Sequence, residues 1–155
     1  MAWGRQNKSK YWANKATYKG IEFDSKHEMR RYIYLCDRLK KGEISDLKLQ
    51  KEFVLLPATT KLVPVQLKTK VRYDKKVVEQ DARYTCDFLY KENGCIVMEE
   101  FKSEQTAKLP DYILRRKLMI KKIYKHNERN GRTKWIFREV IYYFDKNKPT
   151  TIEDK

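Results

Sequence analysis

The sequence predicts a small layered α/β (α+β) domain built on a central mixed sheet. Three observations carry this expectation. Apolar residues recur at helical spacing after Ser25 and again after Pro110. Apolar runs of strand length cover Leu47–Leu56, Val78–Tyr90, Cys95–Lys102 and Lys134–Phe144. Between the second and third of these runs stands Asn93-Gly94, one of the best short hairpin signals.

The elements follow in order. Residues 1–17 hold Arg5, Lys8, Lys10 and Lys15, no acid, and the rings of Trp3, Tyr11 and Trp12. They read as a flexible basic arm that can touch phosphates and stack on bases, or equally as a terminus with its rings packed on the domain. The domain proper spans 18–144. A short strand is expected over Thr17–Phe23. Ser25-Lys26-His27-Glu28 then fits the capping box, so a helix starts there and carries Met29, Tyr32, Ile33, Cys36 and Leu39 until Gly42 ends it. Pro57 stops the Leu47–Leu56 strand. Residues 57–79 read as irregular and lysine-rich, with room for a hairpin excursion around Val63–Tyr73. Lys68, Lys70, Arg72, Lys75 and Lys76 make this stretch either a DNA-facing loop or a solvated face.

Pro110 suits a first helical position and Asp111 the positive end of the helix dipole, so a second helix runs to about His126. Asn130-Gly131 closes it, and Lys134–Phe144 is the last strand. Residues 145–155 form a polar tail expected to fray. There is no internal repeat and no second domain. The core order is helix, three strands, helix, strand.

A chain of 155 residues suits one core, and its formal net charge of +15 attracts polyanions, nucleic acid before all others. An anionic membrane is a poorer partner, because no apolar run crosses a bilayer and no segment pairs a wide apolar face with a basic one. No signal peptide is read at MAWGRQNKSKYW. The three cysteines, Cys36, Cys86 and Cys95, lack CxxC or Cys/His spacing. They argue against a disulfide framework and a structural zinc site, and for a reducing cytoplasm.

Against this charge the hairpin CDFLYKENGCIVMEEFKS is unusual. Strand alternation puts Glu100 and Lys102 on one face and Phe101 on the other. With Asn93-Gly94 as the turn, residue 92 pairs with 95, 90 with 97 and 87 with 100, so Asp87 faces Glu100. Facing carboxylates repel unless a cation sits between them. Lys102 can be that cation. Alternatively a hard divalent metal takes the carboxylates and leaves Lys102 to polarise a water or phosphate. An Asp…Glu-x-Lys pattern also arises by chance, and cross-strand ion pairs are ordinary.

Glu28 adds weight to the metal reading. With Tyr32, Leu35 and Leu39 it falls on the inward stripe of the first helix, where it can cap the backbone or join the carboxylates. On the second helix Tyr112, Ile113, Met119, Ile120, Ile123 and Tyr124 form the apolar face. Arg116 falls within that face and Lys117 at its margin, while Arg115, Lys121 and Lys122 point away or sideways. Arg116 and Lys117 either snorkel outward or stand beside the carboxylates, where a phosphate needs a positive neighbour.

These residues resemble the PD-(D/E)XK nuclease core, with its restriction-endonuclease-like order α-β-β-β-α-β. More closely, FDSKHEMRRY, GEISDLKLQKEF, YTCDFLY and VMEEFKS resemble a phage-encoded family catalogued as a domain of unknown function, over Gly20 to about Val140. The resemblance implies a Mg2+-dependent DNA endonuclease, with Mn2+ as a substitute, acting in the cytoplasm of a bacterial host. Asp87, Glu100 and the Phe101 carbonyl would bind metal, Glu28 would assist, and Lys102 would act on water and phosphate. Gln50 matches the family's Leu-Gln position as an auxiliary residue. By analogy the substrate is branched or junction DNA, for which symmetric cuts favour a homodimer. Two departures stand out: Cys86 replaces the proline or alanine before the aspartate, and Ser103 replaces a glycine. The competing readings are a non-catalytic basic nucleic-acid-binding protein on the same fold, and an RNA-binding protein whose acids and lysine only pair.

Overall fold

The computed structural model describes residues 15–131 and 134–155. Lys19 and Gly20, both at positive φ, fold the expected first strand into a hairpin of β1 (Ala16–Tyr18) and β2 (Ile21–Phe23). The helix α1 (Lys26–Lys40) starts where Ser25 Oγ accepts the Glu28 N–H at 3.1 Å, and Gly42 at φ +74° follows its C-cap.

β3 (Ser45–Leu56) leads into a finding that departs from expectation. The stretch expected to be irregular is a regular ribbon of β4 (Thr59–Gln66) and β5 (Val71–Glu79). The expected Val78–Tyr90 strand is therefore two strands, because Gln80-Asp81 separates β5 from β6 (Ala82–Glu92). β7 (Cys95–Ser103), a single turn α2 (Glu104–Ala107), α3 (Pro110–Arg129) and β8 (Trp135–Tyr142) follow. The tail does not simply fray: β9 (Thr151–Asp154) pairs antiparallel with β8, and Arg138 holds Asp154 through two hydrogen bonds of 2.6 and 2.8 Å.

The molecule is mixed α/β with a central mixed sheet, ordered β3-β6-β7-β8-β9, in which only the β7–β8 pair is parallel. Two apolar layers cover it. Leu35 of α1 packs with Phe88, Tyr90 and Val97 on one face, whereas Met119 and Ile123 of α3 pack with Tyr84, Cys86, Leu89, Met98 and Phe137 on the other. No helix of the described residues is long and apolar enough to cross a membrane.

The alternation on β3 and β6 breaks at one rung. On β6, Cys86 faces α3 but Phe88 faces α1; on β3, Leu49 faces α1 but Phe53 faces α3. The ladder pairs Leu49 with Phe88 and then Lys51 with Cys86, leaving Gln50 and Asp87 unpaired. Gln50 takes a left-handed φ of +47° there. Both strands therefore swap faces together, and Asp87 sits at the swap.

Adjacent glutamates on β7 go opposite ways. Glu99 turns towards α1, where Arg31 donates to it at 2.7 and 2.9 Å and Tyr90 Oη at 2.6 Å. It is fully buried, so losing it would strand the Arg31 guanidinium. Glu99→Ala is expected to destabilise the protein by about 3 kcal/mol in urea denaturation. A change below about 1 kcal/mol would show that this cluster does not hold α1 on the sheet.

Candidate functional site

Beyond the Phe88–Glu99 pair the β6–β7 ladder stops. There Asp87 supplies a side-chain acceptor in place of a backbone one: its Oδ2 accepts the Phe101 N–H at 2.8 Å. The same oxygen lies 2.8 Å from Lys102 Nζ, and Glu100 Oε2 lies 2.7 Å from that ammonium. Asp87 and Glu100, expected to face each other across the hairpin, thus meet through Lys102. Glu28 joins them from the first turn of α1. All four line one cleft of about 430 Å³, together with Asp24, Arg83, Tyr84, Asp111, Tyr112, Arg115 and others.

One wall of the cleft is aromatic. Tyr142 stacks on Phe101 at 5.1 Å and on His27 at 4.4 Å between ring centroids. The opposite side is α3, whose Tyr112 donates to buried Glu139 at 2.7 Å. Arg116 and Lys155 also pair with Glu139, at 2.7 and 2.9 Å.

The electrostatics follow from burial. Glu100, 1% exposed, has its pKa raised to about 8 by burial and then by the Asp87 charge, with Lys102 opposing. Glu28 is raised to about 7 by burial and by the charges of Asp87 and Asp24. For Lys102 burial disfavours the charge, but Asp87 and Glu100 outweigh it and raise its pKa, so it holds its proton. Two buried atoms lack a hydrogen-bond partner among the described residues: Glu100 Oε1 and Tyr84 Oη. Tyr84 is close enough to act on Glu100, yet neither atom is met in good geometry.

The family model that matches the chain is described as "Protein of unknown function (DUF1064)" and covers residues 8–143. The chain belongs to this family. No curated protein and no solved structure matches it significantly.

The structure sorts the residues expected to act in this DUF1064 chain. Asp87, Glu100, Lys102 and Glu28 converge. At Phe101 the group engaged by Asp87 is the backbone N–H, and its ring lies in the aromatic wall. Gln50 is exposed and is not among the cleft's lining residues. Arg116 does not stand beside the carboxylates; Glu139 takes it, because a buried acid must be paired. Lys117 is exposed on a different surface, with Lys121 and Lys125. Lys68, Lys70, Arg72, Lys75 and Lys76 are exposed on the ribbon and its tip, away from the cleft lining. Lys15 is exposed, and Lys8 and Lys10 lie outside the described residues.

Sequence reasoning missed Arg115, Arg83 and Tyr84. Arg115 was expected to point away or sideways, and it lines the cleft and makes no ion pair with a described residue. Its signal was position alone: three residues after Tyr112, it stands on the flank from which a long side chain reaches back over the preceding turn. Arg83 is held by Asp81 at 2.7 Å and Glu52 at 3.0 Å.

Among the described residues, no three His, Cys, Asp or Glu side chains form a ready-made metal cage. The donors at Asp87 and Glu100 are nevertheless all oxygen, and the buried Glu100 Oε1 is without a partner. One or two carboxylates suit a small hard cation that keeps several waters, which is how Mg2+ is usually bound.

The raised carboxyls predict a pH dependence. Folded Glu28 and Glu100 keep protons that their unfolded forms release near 4.5, so stability falls as pH rises from about 4.5 to about 8. His27, lowered from 6.5 by burial and then by Arg30, works the opposite way below that value. In EDTA the thermal midpoint is expected to drop between pH 5 and pH 8, and to drop less in Glu100→Gln. A flat profile shared by both proteins would contradict the burial argument.

Proposed function

We propose that this protein is a metal-dependent endodeoxyribonuclease of the PD-(D/E)XK kind, hydrolysing phosphodiester bonds in DNA. One observation carries the reading: Asp87, Glu100 and Lys102 meet in the lining of one cleft in a chain of net charge +15. A polyanion drawn to such a chain meets five acidic side chains and only three basic ones in that cleft. A cation held by the acids resolves this conflict. The reading takes α1, the central-sheet strands β3, β6 and β7, then α3 and β8 as the restriction-endonuclease-like core, with the β4–β5 ribbon and α2 as insertions.

Asp87 and Glu100 would hold Mg2+ or Mn2+, with Glu28 close by; when bound, such an ion polarises the phosphoryl oxygen and acidifies a water. The remaining work falls to the protein's own groups. Lys102, kept protonated by its two carboxylate neighbours, donates to a phosphate oxygen or orients water, and does not serve as the base. Glu28, raised to about 7, is suited to take a proton from water near neutral pH. Arg115, which pairs with no acid among the described residues, offers its guanidinium to the phosphate backbone. The free cysteines Cys36, Cys86 and Cys95 suit a reducing cytoplasm.

A second reading, a non-catalytic nucleic-acid-binding protein on the same fold, is favoured by one observation: Lys102 already bridges both carboxylates. Incubation with linear, nicked and four-way-junction DNA in Mg2+, Mn2+ or EDTA separates the two. The nuclease reading expects products only with metal, lost by about a hundredfold or more in Asp87→Ala and Lys102→Met while binding survives. Salt-sensitive binding without product in any metal would favour the second reading, and cutting that persists in Asp87→Ala would remove the site from the reaction.

A further inference from the structure

The β4–β5 ribbon has no place in the chemistry above, and among the described residues no other element packs substantially against it. Eight ladder pairs join its strands, and no other described helix or strand packs substantially on either. An isolated two-stranded hairpin is marginal in water, so such a ribbon needs an external partner. Its side chains say which. From residue 61 to 76 it holds Lys61, Lys68, Lys70, Arg72, Lys75 and Lys76 against Asp74 alone. Asp74 is taken by Arg72 at 2.8 Å, while the five lysines make no ion pair with a described residue. Leu62 and Tyr73 are 63% and 64% exposed between them.

We infer that this ribbon is a duplex-binding arm, lying along a groove of the DNA beside the segment held in the cleft. The inference rests on the nucleic-acid reading of the site. Two copies of the chain meeting along the ribbon would set like charges against each other, whereas a polyanion gains from each lysine. A two-stranded ribbon fits the major groove, where exposed apolar side chains can meet thymine methyl groups and sugars. The arm also leaves the body at the right point. Its base joins β6, whose first residues Arg83, Tyr84 and Thr85 line the cleft. At about 3.4 Å per residue the ladder is ~25 Å long, which matches ~7 base pairs. The arm thus extends the contact well past the site of chemistry.

The test measures binding in EDTA, so it does not depend on turnover. One variant replaces residues 61–76 by Asn-Gly, closing the ladder at the Thr60–Val77 pair; a second changes Lys68, Lys70, Arg72, Lys75 and Lys76 to Gln. Fluorescence anisotropy with labelled duplexes of 8 and 20 base pairs, from 50 to 300 mM KCl, reads affinity and its salt slope. Circular dichroism checks that both variants fold. The parent chain is expected to prefer the longer duplex. In both variants the slope of log affinity against log salt should fall by about 4, and the length preference should vanish. An unchanged slope overturns the proposal. So does sedimentation showing a dimeric parent and monomeric variants of equal DNA affinity, which would make the ribbon a contact between copies. A lowered slope in a protein that never cuts DNA upholds the arm and sinks the nuclease reading alone.

Discussion

Two carboxylates brought out of water within reach of one ammonium group govern the architecture around the cleft. Asp87 and Glu100 each lie within 2.8 Å of Lys102 Nζ, and Glu100 is almost fully buried. Remove the ammonium and two like charges face each other in a poorly solvated place, where ionisation of both is strongly disfavoured. The sheet must therefore hold three side chains from two strands in one register. It does so through a backbone contact as well, since the Phe101 N–H binds the same Asp87 oxygen. Lys102 and Asp87 are partly exposed, at 24% and 18% of their side chains, whereas Glu100 is sheltered.

β7 sends two neighbouring acids into different surroundings. Alternation sends Glu99 towards α1 and Glu100 towards α3 and the cleft. Glu99 is saturated with partners, from Arg31 and Tyr90. Glu100 keeps one oxygen without any. A second saturated acid, Glu139, gathers Tyr112, Arg116 and Lys155 behind the cleft wall. Fully paired acids anchor the helices; the under-paired one marks where a ligand has something to gain.

Much of this was legible in the residues. Asn93-Gly94 implied the register that pairs Glu92 with Cys95 and Tyr90 with Val97, because a two-residue turn leaves the strands little choice. Ser25 and Glu28 marked the start of α1, because an N-cap serves backbone groups whose need is local. The ribbon was illegible for the opposite reason: lysines alternate with apolar residues on both of its faces, so no core side stands out. The tail was misjudged because β9 is held by Arg138 and Glu139 of the neighbouring strand, which take Asp154 and Lys155, and a polar tail carries no local signal of such partners. Arg116 and Arg115 exchanged roles because periodicity tells which face a helical residue occupies, not which buried acid will claim it.

The shared break in alternation at Gln50 and Asp87 has a consequence for how this sheet tolerates changes of length. On either side of that rung β3 and β6 present opposite parities to the two helices, and they stay matched because both strands skip together. Deleting a single residue from one strand would turn Phe53 and Leu55, or Tyr84 and Cys86, out of the layer they fill. Only a matched gain or loss in both strands keeps each half facing its own helix. Along this stretch evolution is free to exchange side chains far more readily than to shorten or lengthen the chain.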